Sequence, residues 1–270
     1  RQNQWQVCCI SISSAVMGSI LSALPNGNVG INSSTPVAKL TIVDGAILAA
    51  GTIGDTPISG AGTRMMWIPS KAAFRAGYVD GNQWDDANIG TNSFAVGYNT
   101  TASGTYSTAL GSYTTASGIF STALGYNTIA SGTYSTALGY NTIARGQEAT
   151  ALGSYTLASG VESTALGGFT TASGYGSTAL GSYITAGATY SFGIGLDSTA
   201  RTINQAYTMA VMGGKVGIGT TTPITSLTVQ GSAEYDPFDV ASSTGASLLR
   251  VAGNGNVGIN TTTPSAMLAI

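Results

Sequence analysis

The sequence predicts an all-β protein built around a β-solenoid with coils of fourteen residues, and three observations lead there. Gly97, Gly111, Gly125, Gly139, Gly153, Gly167, Gly181 and Gly195 recur fourteen residues apart, without insertion or deletion. Only 7% of the 270 residues are charged, where an ordinary globular chain has about 25%. The 38 glycines, the alanine-dominated hydrophobic content of 43% and the excess of Ser and Thr suit packed β structure, and a disordered chain would carry more net charge than −2. Third, a Val-Gly-Ile phrase followed by Thr-Pro and then by leucine occurs three times with the same internal spacing.

Each periodic glycine follows an aliphatic residue, namely Val96, Leu110, Leu124, Leu138, Leu152, Leu166, Leu180 or Ile194, and the common phrase is Ser-Thr-Ala-Leu-Gly. Half a period away runs Ala-x-Gly, from Ala102–Gly104 to Ala172–Gly174, degrading only at Ala186-Gly187-Ala188. Two short phrases per period make a coil of two short strands, since helices of about five residues fall below any stable length. Alternation sends Ala109, Gly111, Ala123, Gly125, Ala137 and Gly139 to a narrow roll interior and the leucine column outward. Burying eight aliphatic side chains at about 1.5–3 kcal/mol each is worth on the order of 10–25 kcal/mol before entropy. Another protein surface is therefore expected over the stripe, most simply identical chains in register.

Over residues 91–200, the alternation of S-x-A-x-G with A-x-G at fourteen residues resembles the head of trimeric autotransporter adhesins of the YadA type. The resemblance implies a left-handed parallel β-roll, assembled as a homotrimer with the aliphatic residue of S-x-A-x-G near the trimer axis. It also implies a location outside the cell. The three repeated phrases, GNVGINSSTPVAKLTI from Gly27, GKVGIGTTTPITSLTV from Gly214 and GNVGINTTTPSAMLAI from Gly255, resemble connector modules of phage tail fibres and of large bacterial surface proteins. Val-Gly-Ile reads as a short strand, Thr-Pro ends it because proline lacks a ladder donor, and an apolar alternation restarts.

The chain thus divides into an apolar assembly segment at 1–25, a first connector module at 26–57, a cap at 58–90, the roll at 91–200, a second connector at 201–230 and a third at 231–270. The cap segment carries Trp67 and Trp84 and covers the open end of the solenoid. Residues 2–38 contain no charge. Within them Val7, Cys8, Cys9, Ile10, Met17, Leu21 and Leu24 are the assembly candidates: Val7, Ile10, Met17, Leu21 and Leu24 follow a three-four spacing like that of a short trimeric coiled coil, while Gln6 to Ile12 also alternates like a strand. Adjacent Cys8 and Cys9 are too close for a zinc site, and if oxidised they are expected to bond between chains. A chain that begins at Arg1 fits a processed N terminus, of which a removed secretory signal is one source.

The absence of histidine excludes imidazole metal sites and Ser-His-Asp triads. Nine scattered Lys and Arg make no basic stripe, so no nucleic acid partner, membrane insertion, metal or cofactor is expected. Asp80, Asp85 and Asp86 offer calcium-type oxygens, yet their spacing fits no EF-hand loop. Glu148 and Glu162 lie one coil apart, close to the separation of retaining glycosidase carboxylates, yet both occupy turn positions where glutamate is solvated. Aromatic residues recur in the turns, at Tyr98, Tyr113, Tyr126, Tyr140, Tyr155, Phe169 and Tyr183 and at Tyr106, Phe120, Tyr134 and Tyr190. They suit stacking between coils better than stacking on sugars. Threonine columns lack the Thr-x-Thr face of ice-binding solenoids. The expected protein is a structural, non-enzymatic subunit of an extracellular fibre or filament on a cell surface or virion, adhesin-like, with a surface receptor or glycan as its second partner. The alternative is the shaft of a phage tail fibre used in host recognition.

Overall fold

The computed structural model describes residues 11–14, 18–44, 46–232 and 235–270, with side chains from Leu21 onward. The chain separates into two compact units, Arg1–Ala50 and Gly51–Ile270. No α-helix occurs among the described residues.

In the second unit the fourteen-residue repeat becomes a roll of two parallel sheets. Five-residue strands such as Thr108–Ser112, Thr122–Tyr126 and Thr136–Tyr140 stack in one sheet, and two-residue strands such as Thr115–Ala116 and Ile129–Ala130 stack in the other. Pairing is in perfect repeat register: Ala109 lies against Ala123 and Ala123 against Ala137, with the leucines aligned the same way. At both corners one residue per coil adopts a left-handed conformation, for example Tyr113 (φ 55°) and Phe120 (φ 55°). Its amide then turns along the roll axis and donates to the previous coil, as Tyr113 does to Tyr98 O and Phe120 to Thr105 O. Bulky residues are uncommon at such φ values, and here ring stacking offsets the cost.

The interior is lined by alanine, serine and threonine. Ala95, Ala109, Ala123, Ala137, Ala151, Ala165 and Ala179 from the long strands meet Ala102, Ala116, Ala130, Ala144, Ala158 and Ala172 from the short ones, all fully buried. Serines at the Ser107 position close the corner, with Ser121 Oγ donating to Gly118 O at 2.6 Å. Thr100, Thr114, Thr128, Thr142, Thr156 and Thr170 are also buried, and their hydroxyls have no partner. Because a buried unpaired hydroxyl carries a desolvation penalty, Thr128→Val is expected to be neutral or stabilising by up to about 1 kcal/mol, whereas Ser121→Ala costs about 1 kcal/mol. Thermal unfolding of the two variants side by side checks the contrast, and equal losses would refute it.

Gly111, Gly125 and Gly139 do not face that interior, which corrects the expectation for these three. Gly111 and Gly139 are exposed and Gly125 half-buried in the single chain. Their φ values of 119°, 127° and 128° break the alternation, and a Cβ on Gly111 would stand 2.0 Å from Gly125 O in the next coil. Glycine is required by backbone stacking along the axis, not by a narrow lumen.

The roll also reaches further than 91–200. Its long-strand sheet has eleven strands and its short-strand sheet eight. The last strands of the two are Met209–Met212 and Arg201–Ile203, so residues 201–212 belong to the roll and not to the second connector. That final coil is longer, because Phe192 pairs with Met209 instead of a residue fourteen further on. Ile184 and Ile203 fill its interior, where a Cβ on Gly193 would sit 2.8 Å from each. Asp197 holds the widened corner by accepting two bonds from Arg201, at 2.5 and 3.0 Å. Arg201 draws the Asp197 carboxyl from the usual 3.8 down to about 2. A depressed carboxyl stabilises the fold above its ordinary pKa and loses that contribution as pH falls through the folded value. The difference in unfolding midpoint between the native chain and Asp197→Asn is therefore expected in full above about pH 4, shrinking as pH falls through about 2 and gone near about pH 1. A difference undiminished at about pH 1 would show that the charge is not its source.

At the other end, the strands Gly62–Ile68 and Ala73–Val79 form a hairpin that extends the long-strand sheet, Phe74 pairing with Phe94. Residues 80–90 close over the first short strand, Thr101–Ala102. Trp84 Nε1 donates to Thr100 O at 2.9 Å, Gly90 N to Ala102 O at 3.0 Å, and the buried Arg75 donates to Ala102 O and Ser93 O. Burial draws the Arg75 guanidinium down to about 10, so it remains charged at neutral pH.

All three connector phrases fold alike. Val29–Ile31 pairs in parallel with Leu40–Ile42, Val216–Ile218 with Leu227–Val229, and Val257 and Gly258 with Leu268 and Ala269. The first and third are preceded by an antiparallel hairpin, giving four-stranded sheets. Of the assembly candidates, Leu21 lies in the strand Gly18–Ala23 opposite Ile31, and Leu24 follows that strand and donates its amide to Asn28 O. A strand, not a coiled-coil helix, occupies this stretch, consistent with serines that compete for backbone hydrogen bonds in a helix. Val7, Cys8, Cys9, Ile10 and Met17 lie outside the described residues.

Candidate functional site

The surface feature built most consistently by the repeat is the aliphatic column of the long strands. Val96, Leu110, Leu138, Leu152, Leu166 and Ile194 are half-buried, while Leu124 and Leu180 remain 40% and 38% exposed. In-register pairing aligns Val96, Leu110, Leu124, Leu138, Leu152, Leu166, Leu180 and Ile194 in one outward row. A shorter apolar row, Ile129, Ile143 and Leu157, lies half-buried on the short strands and was missed in the sequence reading. Its only signal is aliphatic residues at a position that other coils fill with threonine.

The aromatic residues of one corner form an unbroken ladder from Tyr78 to Tyr183. Where successive coils place the ring at the same position the pairs stack, as for Tyr126 and Tyr140 (5.2 Å, 10°) and Tyr155 and Phe169 (4.8 Å, 7°). Where the phrase changes between Tyr-Asn and Ser-Tyr the ring moves by one position and the contact becomes edge-on, as for Tyr98 and Tyr113 (5.1 Å, 69°). The swap thus preserves the ladder. The face-to-face pairs cover ring faces between coils, while Tyr98, Tyr113, Tyr126, Tyr140, Tyr155 and Phe169 stay 38–47% exposed. A hydrogen bond with Tyr113 pushes the Tyr98 phenol up to about 12.

On the opposite corner Tyr106, Phe120 and Tyr134 stack at 4.7 and 5.1 Å, and Tyr175, Tyr190 and Tyr207 resume the series. Glu148 and Glu162 occupy the gap at left-handed corner positions and are exposed. Glu162 accepts from Tyr175 Oη at 2.7 Å, and this bond pushes the Tyr175 phenol up to about 12. Glu148 accepts from Gln147 at 3.2 Å.

The three aspartates of the cap do not converge. Gln83 donates to Asp80, Gly60 N donates to Asp85, and Asp86 pairs with Lys71 at 3.0 Å and accepts from Thr56. Lys71 holds the Asp86 carboxyl below its ordinary value. Among the described residues no three His, Cys, Asp or Glu side chains come together as a metal site, and no helix is long and apolar enough to cross a membrane.

Stacked coils, an outward aliphatic row and ring ladders define a β-solenoid repeat protein whose prominent feature is a surface, not a pocket. Residues 89–114, 102–128, 116–142, 130–156 and 158–183 match the family model described as YadA head domain repeat (2 copies). The matched stretches all lie within the roll, whose coils are thus similar to YadA head repeats. No curated protein matches the chain.

Proposed function

We propose that this chain is a structural, non-enzymatic subunit of an extracellular fibre, in which three copies assemble through the roll and present an adhesin-like surface. The observation that carries this reading is the outward aliphatic row from Val96 to Ile194, which the chain itself leaves half-exposed over eight coils. An apolar stripe of that length is stable in water only when covered, and a repeat that places each leucine at the same height in every copy is suited to cover itself. The match to the YadA head repeat supports the same arrangement, since YadA-like adhesins are homotrimeric cell-surface proteins that bind surface targets. End-to-end joining through the N-terminal segment extends the reading to a filament, with a surface receptor or glycan as the second partner. The shaft of a tail fibre on a virion is the second reading, favoured by the uniform coils, which carry no long loop on the roll.

Light scattering on the untagged chain is expected to give three times 27.0 kDa. Leu152→Asp, which places three carboxylates in the proposed seam, is expected to shift the population towards single chains. A monomeric native chain would overturn the reading.

A further inference from the structure

The connector modules are covered on the side opposite to the one their composition predicts. Residues paired across a sheet share a face. In the first module Leu21, Ala23, Val29, Ile31, Leu40 and Ile42 therefore lie together on one face, with Ser22, Gly30 and Thr41 on the other. It is the small face that the chain covers: Ser22 is 5% exposed and bonds to Ser33 O, and a Cβ on Gly30 would stand 2.3 Å from that carbonyl. On the large apolar face, Ile31 is 40% and Leu40 57% exposed.

The third module repeats this inversion, with Gly258 buried; in the second, Gly217 is itself exposed, and what recurs is the open large face. Gly217 and Gly258 lie under the carbonyls of Thr220 and Thr261, at 2.5 and 2.8 Å from the Cβ that each lacks. Ile218 and Leu227 remain 56% and 58% exposed, and Ile259 and Leu268 41% and 58%. The third module carries the pattern across four strands, where register places Phe238, Val240, Leu249, Val251, Val257 and Ile259 on the open face. Its charges lie on the opposite face or beside it: Asp239 and Arg250 pair across the strands on that side, Arg250 bonds to Asp236, and Asp239 accepts from Ser247 at 2.5 Å.

We propose that these open faces are interfaces between copies of this chain, each connector sheet closing against its own counterparts about a common axis to form a small apolar core. The inference rests on the homotrimer reading and extends it from the roll to the modules outside it. Charge distribution selects the occupant. Near a common axis a charge would stand against its own copies, and the open faces carry none, while the acidic and basic groups of the third module are segregated to the other side. The same positions are left open in three separate modules, so one kind of partner must recur wherever the module does, and an equivalent module of another copy meets that condition. A sheet with one apolar face must bury it against another layer, and facing sheets pack about 10 Å apart.

Nitroxide labels on the full chain test this, with Cys8 and Cys9 replaced by serine and a single cysteine introduced at Leu249 on the open face or at Asp239 on the other. Mass is measured on the same samples, and Val240 serves as a second open-face position. Strong dipolar broadening at Leu249 and Val240, with little at Asp239, in a sample of three-chain mass is the expected result. Three-chain mass without broadening at either open-face position would overturn the inference and leave the trimeric roll standing. A single-chain mass would overturn both. Broadening equal at Asp239 and Leu249 would indicate unspecific association and refute the proposed face.

Discussion

Gly125→Ala is expected to lower the stability of the roll by about 2–6 kcal/mol, combining the strain of a side chain at positive φ with overpacking. Gly125 has φ 127°, and its added Cβ would stand 2.0 Å from Gly139 O. The atom it meets is backbone held by its own in-register pairing, so neither partner can move without displacing a coil. Gly168→Ala is the matched control, because its Cβ would meet only Ser182 Oγ at 3.9 Å, and it is expected to be nearly neutral. Thermal unfolding of both at the same chain concentration decides the point, concentration being fixed because assembly shifts the apparent midpoint. Equal behaviour of the two variants would show that axial backbone stacking is not what requires glycine.

Trp84→Ala should have an effect of similar size, about 3–5 kcal/mol from the cavity with a further 1–3 kcal/mol, roughly, from the orphaned carbonyl. The indole is fully buried with Ile68, Val79 and Ile89, and its N–H satisfies Thr100 O at the open edge of the short-strand sheet. Trp84→Phe keeps most of the packing and loses the bond, so it should fall between the native chain and the alanine variant. Hydrogen exchange should locate the damage, with protection lost first at the coils that follow Thr101 and last near Thr178. Uniform loss along the roll would mean that Trp84 does not act as an end cap. Arg75 contributes to the same end by donating to Ala102 O and Ser93 O with no carboxylate beside it, a role invisible in sequence because a buried arginine reads as a surface residue.

Much of the roll was legible because one physical rule repeats. Alanine at every fourteenth position marks an inward residue, and the alternation that buries Ala109 also exposes Leu110, so the leucine row followed directly. The rule failed at Gly111, where a φ of 119° ends the alternation and contact along the axis replaces contact across the lumen. The buried threonines escaped for the same reason: Thr114 sits at a corner, where the period-two rule does not apply and only the path of the chain decides which side chain enters. The extent of the roll was underestimated because residues 73–79 and 209–212 join its sheet through coils of other lengths, which a fixed-period search does not register.

The sequence by itself determined the coil length, the strand pairing and the aliphatic row, because each follows from periodicity, and periodicity depends only on chain order. The tertiary structure alone decided which faces of the connectors stay open, where the rings of the ladder meet face to face or edge-on, and why the glycines are glycines. Those outcomes depend on how closely one coil or loop approaches the backbone of another, too closely at the glycines to admit a Cβ, and no single segment encodes that approach.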